Sequence, residues 1–201
     1  MHTADTLILA SGSEIRATLL RNAGVRFDVV PVHVDEEAVK ASLIAEGAGA
    51  RDIADTLAEI KAAKGANASP GAMVLGCDQV LEFEGRILSK PETEERALDD
   101  LMALRGKSHR LHSAAVIHDG GRPVWRHVEQ AELTMHDVDF AWAAAYVSRN
   151  WPAIASSVGG YRIEEEGAQL FSRIDGDHFV VQGLPLLQIL AHLTQHGTRR
   201  P

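Results

Sequence analysis

Residues 7–16 read Leu-Ile-Leu-Ala-Ser-Gly-Ser-Glu-Ile-Arg, an apolar run that leads through a turn of small residues into a helical pattern. The run from Thr6 to Ala10 predicts a buried strand, and Ser13 is a suitable N-cap for a helix from Glu14 to Ala23. A helix that begins at such a turn directs its backbone N–H groups and the positive end of its dipole toward the turn. The stretch therefore predicts a β–turn–α unit that suits a phosphate, although an ordinary capped helix has the same spacing.

Helical and strand-like segments alternate along the rest of the chain. Further helices are expected at residues 51–64, 93–105, 138–149 and 185–196, and further strands at residues 27–32 and 73–77. Hairpins are expected at residues 80–88, 111–135 and 170–181, with tight turns at Glu84-Gly85, Asp119-Gly120-Gly121 and Asp175-Gly176. Tight turns predict antiparallel pairs, and helices between strands predict crossovers. The pattern predicts an α/β fold with a mixed β-sheet and flanking helices, in one domain over residues 1–201 with a frayed tail from about residue 197.

Composition excludes several classes of protein. Of the 201 residues 45% are apolar, which is enough for a packed interior and argues against a disordered chain. The net charge of −8 is opposite to that of proteins that neutralise nucleic-acid phosphates. The single cysteine, Cys77, allows no intrachain disulfide, and no apolar run is long enough for a membrane span or a signal peptide. We therefore expect a cytoplasmic protein with neither a nucleic-acid nor a membrane partner.

Several charged residues stand where they could carry chemistry. Asp78 follows Gly76-Cys77 at the carboxyl end of the apolar strand expected at residues 73–77. A carboxylate at such a position can hold Mg²⁺, take a proton from water or simply occupy a turn. Lys61 shares the apolar face of its helix with Leu57, so that it either snorkels or pairs with a buried anion. Pro91 keeps Lys90 out of helical geometry and places it in a loop.

Two other segments have a chemical and a structural interpretation. The acidic run Asp35-Glu36-Glu37 is typical of a solvated loop and occasionally supplies a metal ligand. The glycines in Ser157-Val158-Gly159-Gly160-Tyr161, ahead of Glu164, allow a close approach to a ligand or simply turn the chain. Cys77 is interpreted as a small core residue, because a strand cysteine beside glycine is more often packing than nucleophile.

These motifs occur together in an order that is specific. The matching segments are Leu7–Ser13, Arg16 with Leu19-Leu20, Val34-Asp35-Glu36, Leu57–Ala62, Gly76–Val80, Ser89-Lys90-Pro91, Leu104–Lys107 with His109, Ile174–Asp177 and Val181–Pro185. Over nearly its whole length the chain resembles the Maf family of nucleoside triphosphate pyrophosphatases.

The resemblance implies a fold similar to that of inosine triphosphate pyrophosphatases, with two lobes around a cleft. It also implies hydrolysis of a nucleoside triphosphate to the monophosphate and pyrophosphate with a divalent metal, Mg²⁺ or Mn²⁺. By motif position Asp78 corresponds to the family's catalytic aspartate, the proton acceptor. The family's phosphate- and metal-handling positions fall on Ser11, Ser13, Arg16, Glu36, Lys61 and Lys90, with Glu36 and Asp78 as the metal ligands.

Four departures from the family pattern bear on the substrate. Ile15 replaces the first of two adjacent arginines, Gln79 replaces a threonine, Ser157 replaces a lysine and Glu164 replaces a glutamine. Gln79 and Glu164 match the branch directed at 7-methyl-GTP, which also lacks that lysine but usually carries tryptophan at the position of Ile15. We interpret Ile15, Gln79 and Glu164 as the residues that determine base specificity.

The hypothesis is an in-line attack of water on the α-phosphorus, with Asp78 as base or metal ligand and the cations neutralising the triphosphate. The partner is a small nucleotide of non-canonical or modified type, and a homodimer is one arrangement that the chain could adopt. Two alternatives remain: a catalytically degenerate nucleotide-binding regulator of cell division and septum formation, and an unrelated metal-dependent phosphohydrolase that acts on phosphate monoesters.

Overall fold

The computed structural model describes residues 7–195, in which seven strands and seven α-helices follow one another. The strands are β1 (Leu7–Leu9), β2 (Phe27–Val29), β3 (Met73–Phe83), β4 (Arg86–Leu88), β5 (Ser108–Asp119), β6 (Arg122–Met135) and β7 (Phe171–Asp175). The helices are α1 (Glu14–Asn22), α2 (Glu36–Ala45), α3 (Ala50–Ala68), α4 (Glu94–Leu104), α5 (Phe140–Asn150), α6 (His178–Val181) and α7 (Leu186–Gln195). The frayed tail expected from residue 197 lies outside the described residues.

The strands form one mixed sheet in the order β2-β1-β3-β5-β6-β7, with β4 paired to β3. β1 is parallel to both β2 and β3, whereas the neighbouring pairs β3–β5, β5–β6 and β6–β7 are antiparallel. This arrangement confirms the predicted mixed sheet with flanking helices. The parallel pairs have helical crossovers between them, and the long antiparallel pair β5–β6 is joined by the predicted turn at Gly120-Gly121, where both φ angles are positive.

The register of β1 on β3 positions the candidate site. Leu9 pairs with Leu75, so that β1 ends where β3 continues for another eight residues to Phe83. The turn that opens α1 therefore lies beside the middle of β3, next to Asp78. A single pairing thus brings a helix N-terminus and a strand carboxylate together.

The core is built on both faces of this sheet. One cluster fills the space between the sheet and α4 and α5, around Tyr146 and Leu101. A second lies under α1 and α7, and a third packs α3 against β3, β5 and β6 through Ile53 and Leu57. α3 approaches β3 so closely at Gly76 that a Cβ there would collide with the backbone of Ala58 and Ala62. A small residue at position 76 is what allows α3 to bring Lys61 down onto the sheet.

Three expected elements are wrong. The strand expected at residues 73–77 and the first strand of the hairpin expected from residue 80 form one continuous strand, β3, so that Asp78 lies in the middle of a strand and not at its end. Residues 179–181 were expected to form the second strand of a hairpin, but they belong to α6, because the Asp177 carboxylate accepts hydrogen bonds from the N–H groups of Phe179 and Val180. A short apolar run has no periodicity that separates strand from helix, and the cap decides it. The acidic run 35–37 is not a solvated loop: Asp35 caps α2 by accepting from the N–H of Ala38 at 3.0 Å, and Glu36 is the first residue of that helix.

The first turn of α1 also differs in detail from the expectation. Ser13 occupies the N-cap position in an extended conformation, but its side chain makes no capping hydrogen bond. Its N–H instead donates to the Ser11 hydroxyl at 3.3 Å.

Among the helices described between residues 7 and 195, none is long and apolar enough to cross a membrane.

The tight packing of α3 on β3 gives a stability prediction. Gly76→Ala should lower the free energy of unfolding by about 2 kcal/mol, because the added methyl overpacks a contact made by rigid backbone. Gly12→Ala is the matched control, since a Cβ there meets nothing within 4 Å and the change should stay within about 0.5 kcal/mol. Urea denaturation of both variants measures the difference, and equal stabilities would contradict the assigned packing.

Candidate functional site

A cleft beside the carboxyl end of β1 contains two adjoining cavities of about 90 and 660 Å³. All ten residues singled out from the sequence line one or both of them: Ser11, Ser13, Ile15, Arg16, Glu36, Lys61, Asp78, Gln79, Lys90 and Glu164. They come from α1, α2, α3, β3 and three loops, and the fold gathers them at one place. The smaller cavity extends toward apolar side chains such as Leu111, Val158 and Val181, and the larger one toward the turn that opens α1.

The centre of the cleft is a lysine held between two carboxylates. Lys61 Nζ lies 2.5 Å from Asp78 Oδ1 and 2.6 Å from Glu36 Oε1, and the side chains of Lys61 and Asp78 are both buried. Lys61 therefore pairs with buried anions instead of snorkelling to solvent. Lys90 Nζ approaches the other side of the Glu36 carboxylate at 3.7 Å. Two helices, one strand and one loop thus contribute one charge each to a connected group.

The environment of Glu36 shifts its acidity. Burial by itself would raise the pKa of this carboxyl, but the attraction and hydrogen bond of Lys61, with Lys90 and Lys40 farther out, outweigh burial and lower the pKa to about 2. The position at the N-terminus of α2 is of the kind that also favours a negative charge. Glu36 is therefore a carboxylate at every physiological pH.

Arg16 is held almost entirely by backbone. Its Nε donates to the carbonyl of Gly183 at 2.9 Å, and Nη1 donates to the carbonyl of Cys77 at 2.8 Å and to the Ser11 hydroxyl at 3.3 Å. No carboxylate within the described residues pairs with it, so that its charge is not neutralised by a counter-ion. The side chain is only 8% exposed, yet it lines both cavities, which leaves a fixed positive charge in the wall of the cleft.

The amide of Gln79 is oriented by three acceptors. Its Nε2 donates to the Ser113 hydroxyl at 3.1 Å and to the carbonyls of Val180 and Val181 at 3.1 and 3.0 Å. Because the NH₂ group is committed to the protein, the amide has its oxygen to offer to a ligand. Glu164 lines the same cavity and is also an acceptor, so that the smaller cavity presents acceptors from both Gln79 and Glu164.

Sequence analysis missed a hydrogen-bonded clasp next to the cleft. Lys40 is buried, with its Nζ 2.7 Å from Glu37 Oε1 and 3.4 Å from the Ser89 hydroxyl, and this hydroxyl donates to Glu37 Oε2 at 2.8 Å. The clasp ties α2, which carries Glu36, to the loop that carries Lys90. The position of Lys40 three residues after Glu37 was the available signal, but this spacing predicts a contact only if residues 36–45 are helical.

A second residue was also missed. Arg162 lines both cavities, between the glycine turn and Glu164. The segments on either side of it were singled out for their glycines and glutamates. A lone arginine in an irregular loop has no periodicity that would point it at the cleft.

The residues in the cleft fit a divalent cation. Oxygen ligands suit Mg²⁺, which proteins commonly bind through one or two carboxylates together with substrate phosphates. Glu36 and Asp78 are two such carboxylates, and both lie within hydrogen-bond distance of the same nitrogen. No group of three or more metal-ligating side chains occurs in the part of the chain from residue 7 to 195. A metal held here would thus take some of its ligands from the protein and others from a bound phosphate.

The model of the family described as Maf-like protein matches residues 6–196. The chain belongs to this family. The "Nucleoside triphosphate pyrophosphatase" of Ruegeria pomeroyi is 58% identical over 95% of this chain and 96% of its own length. The "7-methyl-GTP pyrophosphatase" of Brucella abortus is 45% identical over 93% of this chain and 94% of its own length. The resemblance to the Maf family noted in the sequence is therefore confirmed over residues 6–196.

Among solved structures the chain is similar to a HAM1 protein from Coxiella burnetii. The TM-score is 0.43 and the sequence identity 18%, over 66% of this chain and 74% of the other. A likeness at this level is too weak to assign a fold, and the α/β class rests on the strand order itself.

The Glu36 ion pair predicts an acid-dependent stability. A carboxyl whose pKa is lowered by folding stabilises the protein fully above its ordinary value of 4.5, and this contribution is lost as the pH falls toward 2. Glu36→Gln should therefore lose less stability than the wild type between pH 4.5 and 2, by roughly 2 kcal/mol after partial solvent screening. Urea titrations at several pH values measure this, with Glu46→Gln at the other end of α2 as control. Parallel pH curves for the wild type and Glu36→Gln would contradict the ion pair.

Cys77 is predicted to be unreactive. Its side chain is fully buried in β3, and burial raises the pKa of the thiol to about 12. At pH 8 the folded protein should show no measurable alkylation by iodoacetamide, and one thiol should react after denaturation in urea. Rapid labelling of the folded protein would contradict the interpretation as a core residue.

Proposed function

We propose that this Maf protein hydrolyses a nucleoside triphosphate to the nucleoside monophosphate and pyrophosphate by attack of water on the α-phosphorus. The observation that carries the proposal is the Lys61 ammonium bridging Asp78 and Glu36 beside the helix N-terminus at Ser11–Ser13. The relatives named nucleoside triphosphate pyrophosphatase, which are similar over nearly their whole length, support the same reaction.

Asp78 is assigned the role of proton acceptor. Its Oδ1 is occupied by Lys61, and its Oδ2 makes no hydrogen bond to the residues described between 7 and 195. A water held at Oδ2 would have its proton removed as it attacks, which is the usual function of a positioned carboxylate base. Lys61 keeps the Asp78 carboxylate in a fixed orientation, because its ammonium donates a hydrogen bond to Oδ1 and so limits rotation of the carboxylate.

The triphosphate is assigned to the larger cavity. Arg16 and Lys90 line it together with the turn Ser11–Ser13 that opens α1, and the N–H groups of a helix N-terminus suit a phosphate. Arg16 is held by carbonyls and, within residues 7–195, not by a carboxylate. Phosphate oxygens can therefore pair with its charge without first breaking an ion pair within the protein. The departing pyrophosphate carries the charge that develops in the reaction, and fixed cations stabilise it without reorganisation.

A divalent metal would be held by Glu36 and Asp78 together with phosphate oxygens. When bound, it supplies Lewis-acid polarisation of the phosphate and charge neutralisation. The chain's own contribution is to hold both carboxylates in place through Lys61.

The base is assigned to the smaller cavity, and its chemistry favours guanine. Gln79 and Glu164 both present acceptors, which suit the N1–H and N2–H₂ donors of a guanine edge. The carboxylate of Glu164 also offsets the positive charge of a ring methylated at N7. Ile15 lines the same cavity and can pack against the ring. We propose 7-methyl-GTP as the first substrate to test, in line with the relative of that name in Brucella abortus.

Asp78→Asn should lower kcat by about 10²-fold or more, because a neutral amide cannot take the proton from water. The assay measures pyrophosphate release with Mg²⁺ from 7-methyl-GTP, GTP, ATP, UTP and CTP. Asp100→Asn is the matched control: Asp100 is also a buried aspartate paired with a basic side chain, Arg96, but lies on α4 outside the cleft.

Three outcomes would overturn parts of the proposal. Pyrophosphate release by Asp78→Asn at the wild-type rate would remove the assigned base. Release of orthophosphate in place of pyrophosphate would indicate a different phosphohydrolase. Nucleotide binding by the wild type without turnover would favour a regulator, as the absence of basic side chains at Ile15 and Ser157 would then suggest.

A further inference from the structure

Arg162 lies on the wall between the two cavities and has no role in the mechanism above. Its Nε is 3.2 Å from Glu164 Oε1, and its Nη1 is 2.9 Å from Glu165 Oε1. Its remaining nitrogen, Nη2, makes no hydrogen bond to the residues described between 7 and 195. One guanidinium thus holds two carboxylates of the run Glu164-Glu165-Glu166.

The local charge argues against a direct role in binding phosphate. Two carboxylates surround one guanidinium, so that the group of Arg162, Glu164 and Glu165 has a net charge of −1. A phosphate approaching it meets more negative than positive charge, in contrast to Arg16, which has no carboxylate partner in the described part of the chain. The arrangement instead suits the fixing of Glu164.

The backbone beneath Arg162 is held in place on both sides. Tyr161 is buried, and its hydroxyl lies 2.7 Å from Nε2 of His109, which is buried as well. On the other side the chain folds back so closely that a Cβ at Gly167 would collide with the backbone of Arg162. The backbone of Arg162 therefore has little freedom, and the ion pairs with Glu164 and Glu165 hold the guanidinium.

The third glutamate of the run has a separate attachment. Glu166 pairs with Arg149 of α5 and accepts a hydrogen bond from the Asn150 side chain at 2.8 Å. The loop is thus tied to the body of the protein at a point outside the cleft. Loss of the Arg162 contacts would release Glu164 without detaching the loop.

We propose that Arg162 is a positioning residue that selects guanine-type bases by holding Glu164. With Oε1 bound to Arg162, Glu164 turns Oε2 toward the base, where it accepts from an N–H donor, and the amide oxygen of Gln79 supplies a second acceptor. The substrate class is a nucleoside triphosphate whose base carries adjacent N–H and NH₂ donors. This inference rests on the proposed function, since it concerns the selectivity of the same cleft.

The test compares base selectivity in Arg162→Gln and in the wild type. The ratio of kcat/KM for GTP and 7-methyl-GTP to that for CTP should fall roughly tenfold, the order of one hydrogen bond to a charged group. Glu164→Gln should lower the ratio as well. The double variant should lose no more than Glu164→Gln alone, because Arg162 acts through Glu164. Arg162→Lys, which keeps the charge, should recover part of the ratio.

Arg149→Gln is the matched control. It removes an arginine that pairs with Glu166 of the same acidic run, and it leaves the contacts of Glu164 in place. Its thermal stability should fall, but its selectivity ratio should equal that of the wild type. Equal losses of Arg162→Gln on all nucleotides would overturn the inference and assign Arg162 to the phosphates. Losses of selectivity in Arg162→Gln and Glu164→Gln that multiply in the double variant would also overturn it, because Arg162 would then act independently of Glu164.

The failure of the inference and the failure of the proposed function give different results. A wild type that releases no pyrophosphate from any nucleotide contradicts the proposed function. A wild type that turns over the panel, with a selectivity unchanged in Arg162→Gln, contradicts only the role of Arg162. Thermal melts of each variant establish that the compared proteins are folded.

Discussion

The buried ammonium of Lys61 is the constraint on which the rest of the cleft depends. A charge removed from water costs several kcal/mol unless it is paired, and Lys61 is paired twice, with Asp78 and with Glu36. Removal of either carboxylate would leave the other partners to compensate the charge. The contacts of Lys61 therefore tie together three elements, α2, α3 and β3, whose mutual position decides the geometry of the site.

Backbone packing makes this ion group attainable. α3 can lie low on the sheet because Gly76 has no side chain, and β1 ends beside Asp78 because its parallel register with β3 places Leu9 opposite Leu75. Neither the glycine nor the strand register takes part in chemistry directly. Together they bring a helix N-terminus, a lysine and two carboxylates into the same cleft, and this arrangement supports the proposed binding of a triphosphate with a divalent cation.

The two ends of the cleft differ in how their polar groups are compensated. At the end proposed for the phosphates Arg16 is held by carbonyls and has no carboxylate partner within the described residues. At the end proposed for the base the NH₂ group of Gln79 already donates to the protein, and Glu164 is bound through one oxygen. Cations are thus available for phosphates, and acceptors are available for a donor edge. This division follows from which hydrogen bonds the protein has already made, and residue types alone do not reveal it.

The sequence by itself determined the α/β class and the β–turn–α unit at residues 7–16, because periodicity and local motifs are properties of neighbouring residues. The resemblance to the Maf family supplied ten of the residues that line the cleft, but it did not supply Arg162. The sequence did not determine α2 or α6, whose N-caps at Asp35 and Asp177 override an ambiguous pattern. The clasp of Lys40 with Glu37 and Ser89, and the hold of Arg162 on Glu164, were decided only by the tertiary structure. Such contacts join side chains on separate elements or in an irregular loop, and their partners are set by how the chain packs, which no local pattern encodes.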